Sequence, residues 1–410
     1  MSESAKKDDR RGFLKKGAAG LGAMMVFPAM AQEGSEPAKP AESKKEQKPI
    51  MTRPFGKSGY EWPILSMGCG ACDNPEVLRA ALDAGVVHLD TAWSYGNGAN
   101  ETMIAEVVKD RPRDSYAIGT KVPGSPEDRR TATFTPEAKA GPFIEKFEES
   151  LTRLNLDYVE ILYLHSVVNR ESTLWEEYLN AMTKMKKEGK CRLIGVSAHA
   201  GEPEVIRAAI ESKVYDAVLV AYNFRQPHVK EVKKAIAEAA KAGIGMLAMK
   251  TQAGIYWDQE RQRQINMKAA LKWVLQDKNV HTAIPGFNTF DQLELDLEAV
   301  ADLNFTDEEE KDLDLGDNLG LPGLYCPQCA DCMAKCPKGV DVPTLMRSYM
   351  YAYGYKNLGW AKDALDSAAL EGNPCDDCSS CSIKCTMGFD VKEKVQDIVR
   401  LRSLHRDFVA

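Results

Sequence analysis

No apolar run in this 410-residue chain looks long enough to cross a bilayer, which takes roughly 20 residues. The segment Gly17–Ala31 has only 15, too few for a permanent anchor, so no stable membrane span is expected. Positive charge is not in surplus: 53 Lys and Arg face 60 Asp and Glu, a net charge of -7. That balance excludes the basic stripe of a nucleic-acid-binding protein. The glycine-rich turn that opens a doubly wound dinucleotide-binding sheet is also missing. The first strand candidate runs into SMGCGACDNP, and the run Gly17 to Gly22 follows no strand and has the wrong spacing. Cysteine is sparse in the first 325 residues, which hold three of the eleven. What is present, 44% hydrophobic and 28% charged residues, is ordinary globular composition for one large domain and a smaller one.

The N-terminus reads as an address. Arg10-Arg11-Gly12-Phe13-Leu14-Lys15 precedes a short apolar core that ends in Ala29-Met30-Ala31. A basic flank, a core too short to span and an A-x-A site describe a cleavable signal peptide over residues 1–31. The paired arginines place it in the twin-arginine class, so the translocase of that pathway is an expected partner and the periplasm the expected location. Residues 1–31 carry six Lys/Arg against three Asp/Glu, leaving the remainder at -10. Residues 32–50 are rich in Pro, Glu, Lys and Ser and bury too little to order themselves; they are expected to be a disordered linker.

From residue 51 to about 305, short apolar runs alternate with amphipathic ones. ILSMG, VVHLD, YAIGTK, YVEILYLH, CRLIGVS, DAVLVAY, GIGMLAMK and HTAIPG read as strands, separated by helical patterns such as GPFIEKFEESLTRLN. Alternation of this kind predicts the α/β class, a closed (β/α)8 TIM barrel, with its site at the C-terminal strand ends. The polar residues there are Asp90 and Tyr95, Lys121, His165, Ser197, Tyr222 and Asn223, Lys250 and Gly286. Four of them make coherent chemistry. A tyrosine hydroxyl is a poor proton donor at neutral pH. A buried ammonium beside it favours the phenolate, and that ammonium needs a carboxylate to stay charged away from water. Tyr95, Lys121 and Asp90 fit those roles, and His165 fits that of orienting a substrate oxygen. Such a site protonates a carbonyl oxygen while hydride reaches its carbon, or runs in reverse on an alcohol.

These motifs resemble the aldo-keto reductase family over roughly residues 52–300. RPFGKSGYEWPILSMG is similar to its N-terminal hairpin and first strand, HLDTAWSYGNGANETMI to the stretch with its Asp and Tyr, IGTK to that with its Lys, and SLTRLNLDYVEILYLH to that with its His. The resemblance implies catalytic roles for Asp90, Tyr95, Lys121 and His165 and a nicotinamide cofactor, NADP or NAD, lying across the strand ends. It implies Tyr222 stacked on the nicotinamide, Ser197 near the carboxamide, Asn223 and Lys250 nearby, and Gly286, Asn288 and Gln292 around the phosphates and adenine. The sequence differs from the family where Ala198 and His199 follow the strand-five serine and where Gly286 and Gln292 stand at positions often basic in NADP-preferring members.

Eight cysteines lie beyond residue 325, in two runs 49 residues apart: Cys326-x2-Cys329-x2-Cys332-x3-Cys336 and Cys375-x2-Cys378-x2-Cys381-x3-Cys385. The repeat continues through Gly339-Val340-Asp341-Val342 and Gly388-Phe389-Asp390-Val391. This is the bacterial ferredoxin spacing, given twice. That resemblance implies one [4Fe–4S] cluster on Cys326, Cys329, Cys332 and Cys385 and a second on Cys375, Cys378, Cys381 and Cys336. Disulfides and structural zinc are the other readings of such spacings. The region 306–410 is therefore expected to be a small, mainly helical two-cluster domain, with two helices broken near Gly354–Asn357 between the runs. The tyrosines and tryptophan there shield clusters, pack on the barrel or dock a partner. Cys191 is expected in the core, and Cys69 and Cys72 near the mouth as a redox-active or merely buried pair. The expected function is carbonyl–alcohol oxidoreduction of a small molecule, with electrons relayed through the clusters to a partner protein. The competing expectation is an electron-transfer oxidoreductase that uses no soluble nicotinamide.

Overall fold

A computed structural model of the chain describes residues 49–128, 131–226, 228–257, 262–319, 326, 331–368, 370–405 and 408. The expected signal peptide, nearly all of the expected linker, and Cys329 lie outside the described residues.

A hairpin of β1 (Thr52–Pro54) and β2 (Glu61–Pro63) comes first. The barrel strands are β3 (Met67–Gly68), β4 (His88–Asp90), β5 (Ala117–Pro123), β8 (Val159–His165), β9 (Cys191–Ala198), β10 (Ala217–Ala221), β11 (Gly245–Met249) and β12 (Thr282–Ala283). A second hairpin, β6 (Glu127–Asp128) with β7 (Thr133–Phe134), lies in the loop after β5. Helices α1 (Pro75–Asp83), α2 (Ala99–Val108), α3 (Ala140–Leu154), α4 (Arg170–Thr173), α5 (Glu176–Lys187), α6 (Glu202–Ser212), α7 (Val229–Ala242), α8 (Met267–Gln276), α9 (Phe290–Ala301) and α10 (Asp307–Leu319) fill the crossovers and follow the last strand.

The eight strands pair in parallel in the order β12-β11-β10-β9-β8-β5-β4-β3. A parallel bridge between Leu65 and Ala283, with Ser66 N donating to Ala283 O at 2.8 Å, joins the two edges. The fold is the (β/α)8 barrel expected.

Alternation along each strand sorts the side chains. Ala117, Ile161, Tyr163, Leu193, Ala217, Leu219, Leu247 and Met249 form one buried cluster with Phe55 and Trp62 of the first hairpin. Their strand neighbours, such as Ile118, Leu162, Leu164, Val196, Val218 and Val220, belong to a second cluster with the helices. The first set lines the barrel lumen and the second faces outward, as period-two geometry requires. The hairpin plugs the floor: Phe55 stacks on Trp62 at 4.3 Å, and Trp62 stacks on His88 at 4.5 Å. Gly245 makes room, since a Cβ there would lie 2.3 Å from Phe55 Cζ.

Beyond the barrel, α11 (Val342–Tyr349), a π-helical turn (Met350–Gly354), α12 (Leu358–Ser367) and α13 (Val391–Ile398) make a small helical layer. The sequence repeat has a structural counterpart. Gly339 N donates to Cys336 O and Gly388 N to Cys385 O, both glycines having positive φ. Asp341 and Asp390 then cap α11 and α13 through Thr344 N and Glu393 N, at 3.1 and 3.0 Å. The break between α11 and α12 falls where expected, with Lys356 at φ 55° and Asn357 capping α12. Among the described residues, no helix is long and apolar enough to cross a membrane.

Candidate active site

The lumen-facing parity of four strands carries polar side chains to the C-terminal rim. On β4 it selects His88 and Asp90, on β5 Gly119 and Lys121, on β8 Tyr163 and His165, and on β9 Ser197 and then His199. Tyr95 enters from the 3-10 turn Tyr95–Gly98 after β4, its ring seated over Gly70, where a Cβ would lie 2.8 Å from Tyr95 Cε2.

These side chains converge. Lys121 Nζ forms a short ion pair with Asp90 Oδ1, donates to Thr91 O at 2.6 Å, and reaches the Tyr95 hydroxyl at 3.4 Å. Lys121 and Asp90 are each 1% exposed. Burial opposes the Lys121 charge, but Asp90 and Tyr95 outweigh it and hold the ammonium above its ordinary range. His165 faces Tyr95 edge to face at 6.1 Å, and His199 lies 6.4 Å beyond. Burial, then the charges of Lys121 and Arg347, depress His165 to about 3. His199 is held well below its usual value by burial, then by Lys250, His165, Arg347 and Lys121. Both imidazoles are therefore neutral hydrogen-bonding groups at physiological pH. Arranged so, the site can deliver a proton from Tyr95 to a carbonyl oxygen held by His165, with Lys121 and Asp90 stabilising the phenolate left behind.

Behind the ion pair, Asp90 Oδ2, both ring nitrogens of His88 and the Tyr163 hydroxyl are buried without a hydrogen-bond partner. They surround Gly119, whose added Cβ would lie 3.0 Å from Tyr163, 3.2 Å from His88 Nε2 and 3.4 Å from Asp90 Oδ2. Burial and Lys121 hold His88 at about 3.

The residues assigned to the nicotinamide are not gathered in this way. Tyr222 has the outward parity of Val218 and Val220 and belongs to the same outer cluster. It is 1% exposed, its ring packs against Trp273 at 5.0 Å, and its hydroxyl donates to Asp277 Oδ2 at 3.1 Å. These contacts tie the ring to Trp273 and the hydroxyl to Asp277. Ser197 Oγ accepts from Ser166 N, and Asn223 bonds to Lys250 O and Arg225 N. Asn288 N donates to Gln292 Oε1 within their own loop at 2.8 Å, and Asn288 Oδ1 accepts from Asp73 N in the segment after β3. Gly286 is exposed. Lys250, at the end of β11, is pushed down to about 8 by burial and then Arg347, with Cys326 acting against them. A cluster ligand expected from the sequence therefore lies close to the barrel rim.

The helical layer roofs the mouth. A cavity of about 690 Å3 lies between them, lined by Tyr95, His165 and His199 below and by Arg347, Tyr351 and Trp360 above. Tyr351 meets Trp360 edge to face at 5.3 Å, and Lys356 sits over the barrel residue Tyr256 at 5.2 Å. The aromatics of this layer pack chiefly against one another and its helices, and Tyr351 and Trp360 also face the cavity. Arg347 and His199 are the site residues that sequence reasoning did not nominate. The available signals were a lone arginine in the otherwise apolar and aromatic LMRSYMYAY, and a histidine in register with Ser197.

The cysteines expected on the second cluster also come together. Cys336, from the first run, shares one small pocket with Cys375, Cys378 and Cys381, walled by Pro337, Val340, Val391 and Val395. Burial raises the Cys375 thiol, and Cys378, Cys381 and Cys336 raise it further, so the four are mutual neighbours. Cys336, Cys375, Cys378, Cys381 and Cys385 carry unbridged thiols. Among the described residues no three candidate ligands close on a single metal ion. Four thiols from two ferredoxin-type runs around one apolar pocket are a donor set suited to a [4Fe–4S] cubane. Cys326, Cys332 and Cys385 pack against the same helical core. Met387 N donates to Cys385 Sγ at 3.4 Å. Cys69 and Cys72 sit in one turn beside the ion pair as expected, both buried thiols with raised pKa, and Cys191 is core.

Comparison with known proteins agrees with this division. Residues 72–269 match the Aldo/keto reductase family and residues 325–389 the 4Fe-4S dicluster domain, in that order along the chain. An L-glyceraldehyde 3-phosphate reductase of Escherichia coli O157:H7 is 25% identical over 63% of this chain and 90% of its own. A probable aldo-keto reductase of Glycine max is 27% identical over 47% of this chain, and a D-threo-aldose 1-dehydrogenase of a Pseudomonas species 30% over 40%. The match spans just over half the length of these two relatives, 57% and 56%. Among solved structures, an aldo-keto reductase from Bacillus halodurans superposes with a TM-score of 0.52 at 22% identity, covering 65% of this chain and 96% of that one. One from Klebsiella pneumoniae in complex with NADPH gives 0.52 at 23%, covering 65% and 94%. At that identity the structural likeness speaks to the fold.

Proposed function

We propose that the protein is an oxidoreductase that interconverts a carbonyl and an alcohol at the rim of the barrel, with electrons relayed through two [4Fe–4S] clusters in the helical layer. The observation that carries this reading is the continuous Asp90–Lys121–Tyr95 chain ending beside His165 on the floor of the roofed cavity. Reduction of a carbonyl consumes two electrons and two protons. Tyr95 supplies the proton that goes to oxygen, Lys121 and Asp90 stabilise the phenolate, and neutral His165 donates a hydrogen bond that fixes the carbonyl. The clusters, when bound, exchange single electrons with a partner protein.

The source of the electron pair, and of the hydrogen that reaches carbon, separates two readings: hydride carries both, whereas two single electrons from the clusters require a second proton from solvent. A bound NADP or NAD would deliver it as hydride to the carbonyl carbon. The second reading, with electrons arriving from the clusters and no soluble nicotinamide, is favoured by two observations: Tyr222, Ser197 and Asn223 are committed elsewhere, and Cys326 acts on Lys250 at the rim. Protein purified anaerobically decides between them. Stoichiometric NAD(P) released on denaturation supports the first; no nucleotide, and no bleaching of cluster absorbance by NAD(P)H, supports the second. Under both, Tyr95→Phe lowers turnover by at least about 10²-fold at unchanged iron and sulfide. Full activity in that variant overturns the assignment.

We further propose that the protein is exported to the periplasm already folded. The support is the pairing of Arg10-Arg11 with two cluster motifs, since clusters are assembled in the cytoplasm and would be lost from an unfolded chain. Replacing both arginines with lysine is expected to hold the protein, clusters included, in the cytoplasm, as fractionation would show.

A further inference from the structure

The roof of the cavity contains a charge that the tetrad chemistry does not use. Arg347 projects from α11 into the same cavity as Tyr95, His165 and His199. Its described hydrogen bond is to Thr344 Oγ1, one turn back on its own helix, at 3.1 Å. Among the described residues it is paired with no carboxylate, although acids line the cavity. Asp341 is occupied in capping α11, and Asp366 pairs with Lys362. Arg347 also acts on Lys250, a charge of its own sign, and opposes protonation of His165 and His199. A half-buried guanidinium among such neighbours is costly unless something anionic meets it. Planar N–H donors aimed into a cavity suit a two-oxygen acceptor.

We propose that Arg347 is a specificity-determining residue that binds an oxyanion on the substrate, so that the substrate is a carbonyl or alcohol compound bearing a carboxylate or phosphate group. This rests on the carbonyl–alcohol reading of the tetrad. The carbonyl lies against Tyr95 and His165, and the anionic group extends upward to Arg347. Tyr351 and Trp360 wall the space between, and neutral His199 is placed to donate a further hydrogen bond. The small helical layer thereby completes the site instead of only shielding clusters.

The test uses cluster-loaded protein and calorimetric binding of matched probes: glyoxylate against glycolaldehyde, and D-glucuronate and D-glucose 6-phosphate against D-glucose. At least one anionic probe is expected to bind about tenfold or more tighter than its neutral partner. Arg347→Gln should erase that preference and Arg347→Lys keep part of it, both at unchanged iron content. The ratio of glucuronate to glucose 6-phosphate affinity tells carboxylate from phosphate. No preference in the wild type, no binding of any anionic probe, or a preference that survives Arg347→Gln overturns the proposal. Turnover is measured separately, with Tyr95→Phe as control. Arg347-dependent binding without Tyr95-dependent turnover would sink the catalytic reading and leave the anion site standing. Tyr95-dependent turnover of neutral and charged probes alike would do the reverse.

Discussion

At the scale of single residues, the site depends on charges taken far from water. Lys121→Met leaves Asp90 buried without its ammonium, which costs about 3–5 kcal/mol in chemical denaturation. Adding Asp90→Asn removes the orphaned charge, so the double variant is expected to be more stable than the lone lysine variant. Asp296 on α9 is a second case. It is 2% exposed, accepts from Gln252 at 3.4 Å, and burial pushes it up to about 8. Its folded value lies above its unfolded one. Whatever the neutral acid contributes is complete below about pH 4 and is lost as pH rises to about 8. Asp296→Asn should therefore raise the melting temperature most above pH 8 and least near pH 4. A gain that does not vary with pH would contradict this. His88 works in the opposite direction. Held at about 3 in the fold, it binds its proton more readily once unfolded, so stability falls as pH drops from about 6.5 toward 3.

At the scale of elements, the strands were legible because apolar runs between amphipathic stretches leave few alternatives. Their ends were less so. HTAIPG is realised as only Thr282–Ala283, and Pro285, having no N–H, cannot extend the ladder. The placement of Tyr222 is a matter of the same kind. Position after a strand does not say which face a side chain takes; parity does. Tyr222 is in phase with Val218 and Val220, which face the helices, whereas Lys121 is in phase with Ala117 in the lumen. The first hairpin yields a prediction at this scale. Trp62 bridges Phe55 and His88 on the barrel floor, so Trp62→Ala should cost about 3–5 kcal/mol of barrel stability. Cluster content should not change, because the plug lies at the opposite end from the helical layer. Iron loss paralleling the fall in stability would count against that separation.

For the molecule as a whole, the two halves of the chain were readable separately and their joint site was not. The tetrad follows from residue types at strand ends, and the cluster ligands from cysteine spacing. Nothing in either pattern tells that α11 comes to rest over the mouth, because docking is decided by surface shape across more than 100 residues of intervening chain. Arg347 was invisible for that reason. The pocket shared by Cys336 with Cys375, Cys378 and Cys381 carries a further consequence. The first repeat thus brings its fourth thiol to the second run, and if Cys385 returns to the first run as the spacing implies, neither half is a complete holder by itself. Loading should then be close to all-or-none. Under a slow chelator titration, native mass spectra are expected to show eight-iron and iron-free chains with few four-iron species between them. Cys336→Ser should release more than the four irons it directly serves, whereas a molecule with two independent holders would stop at half.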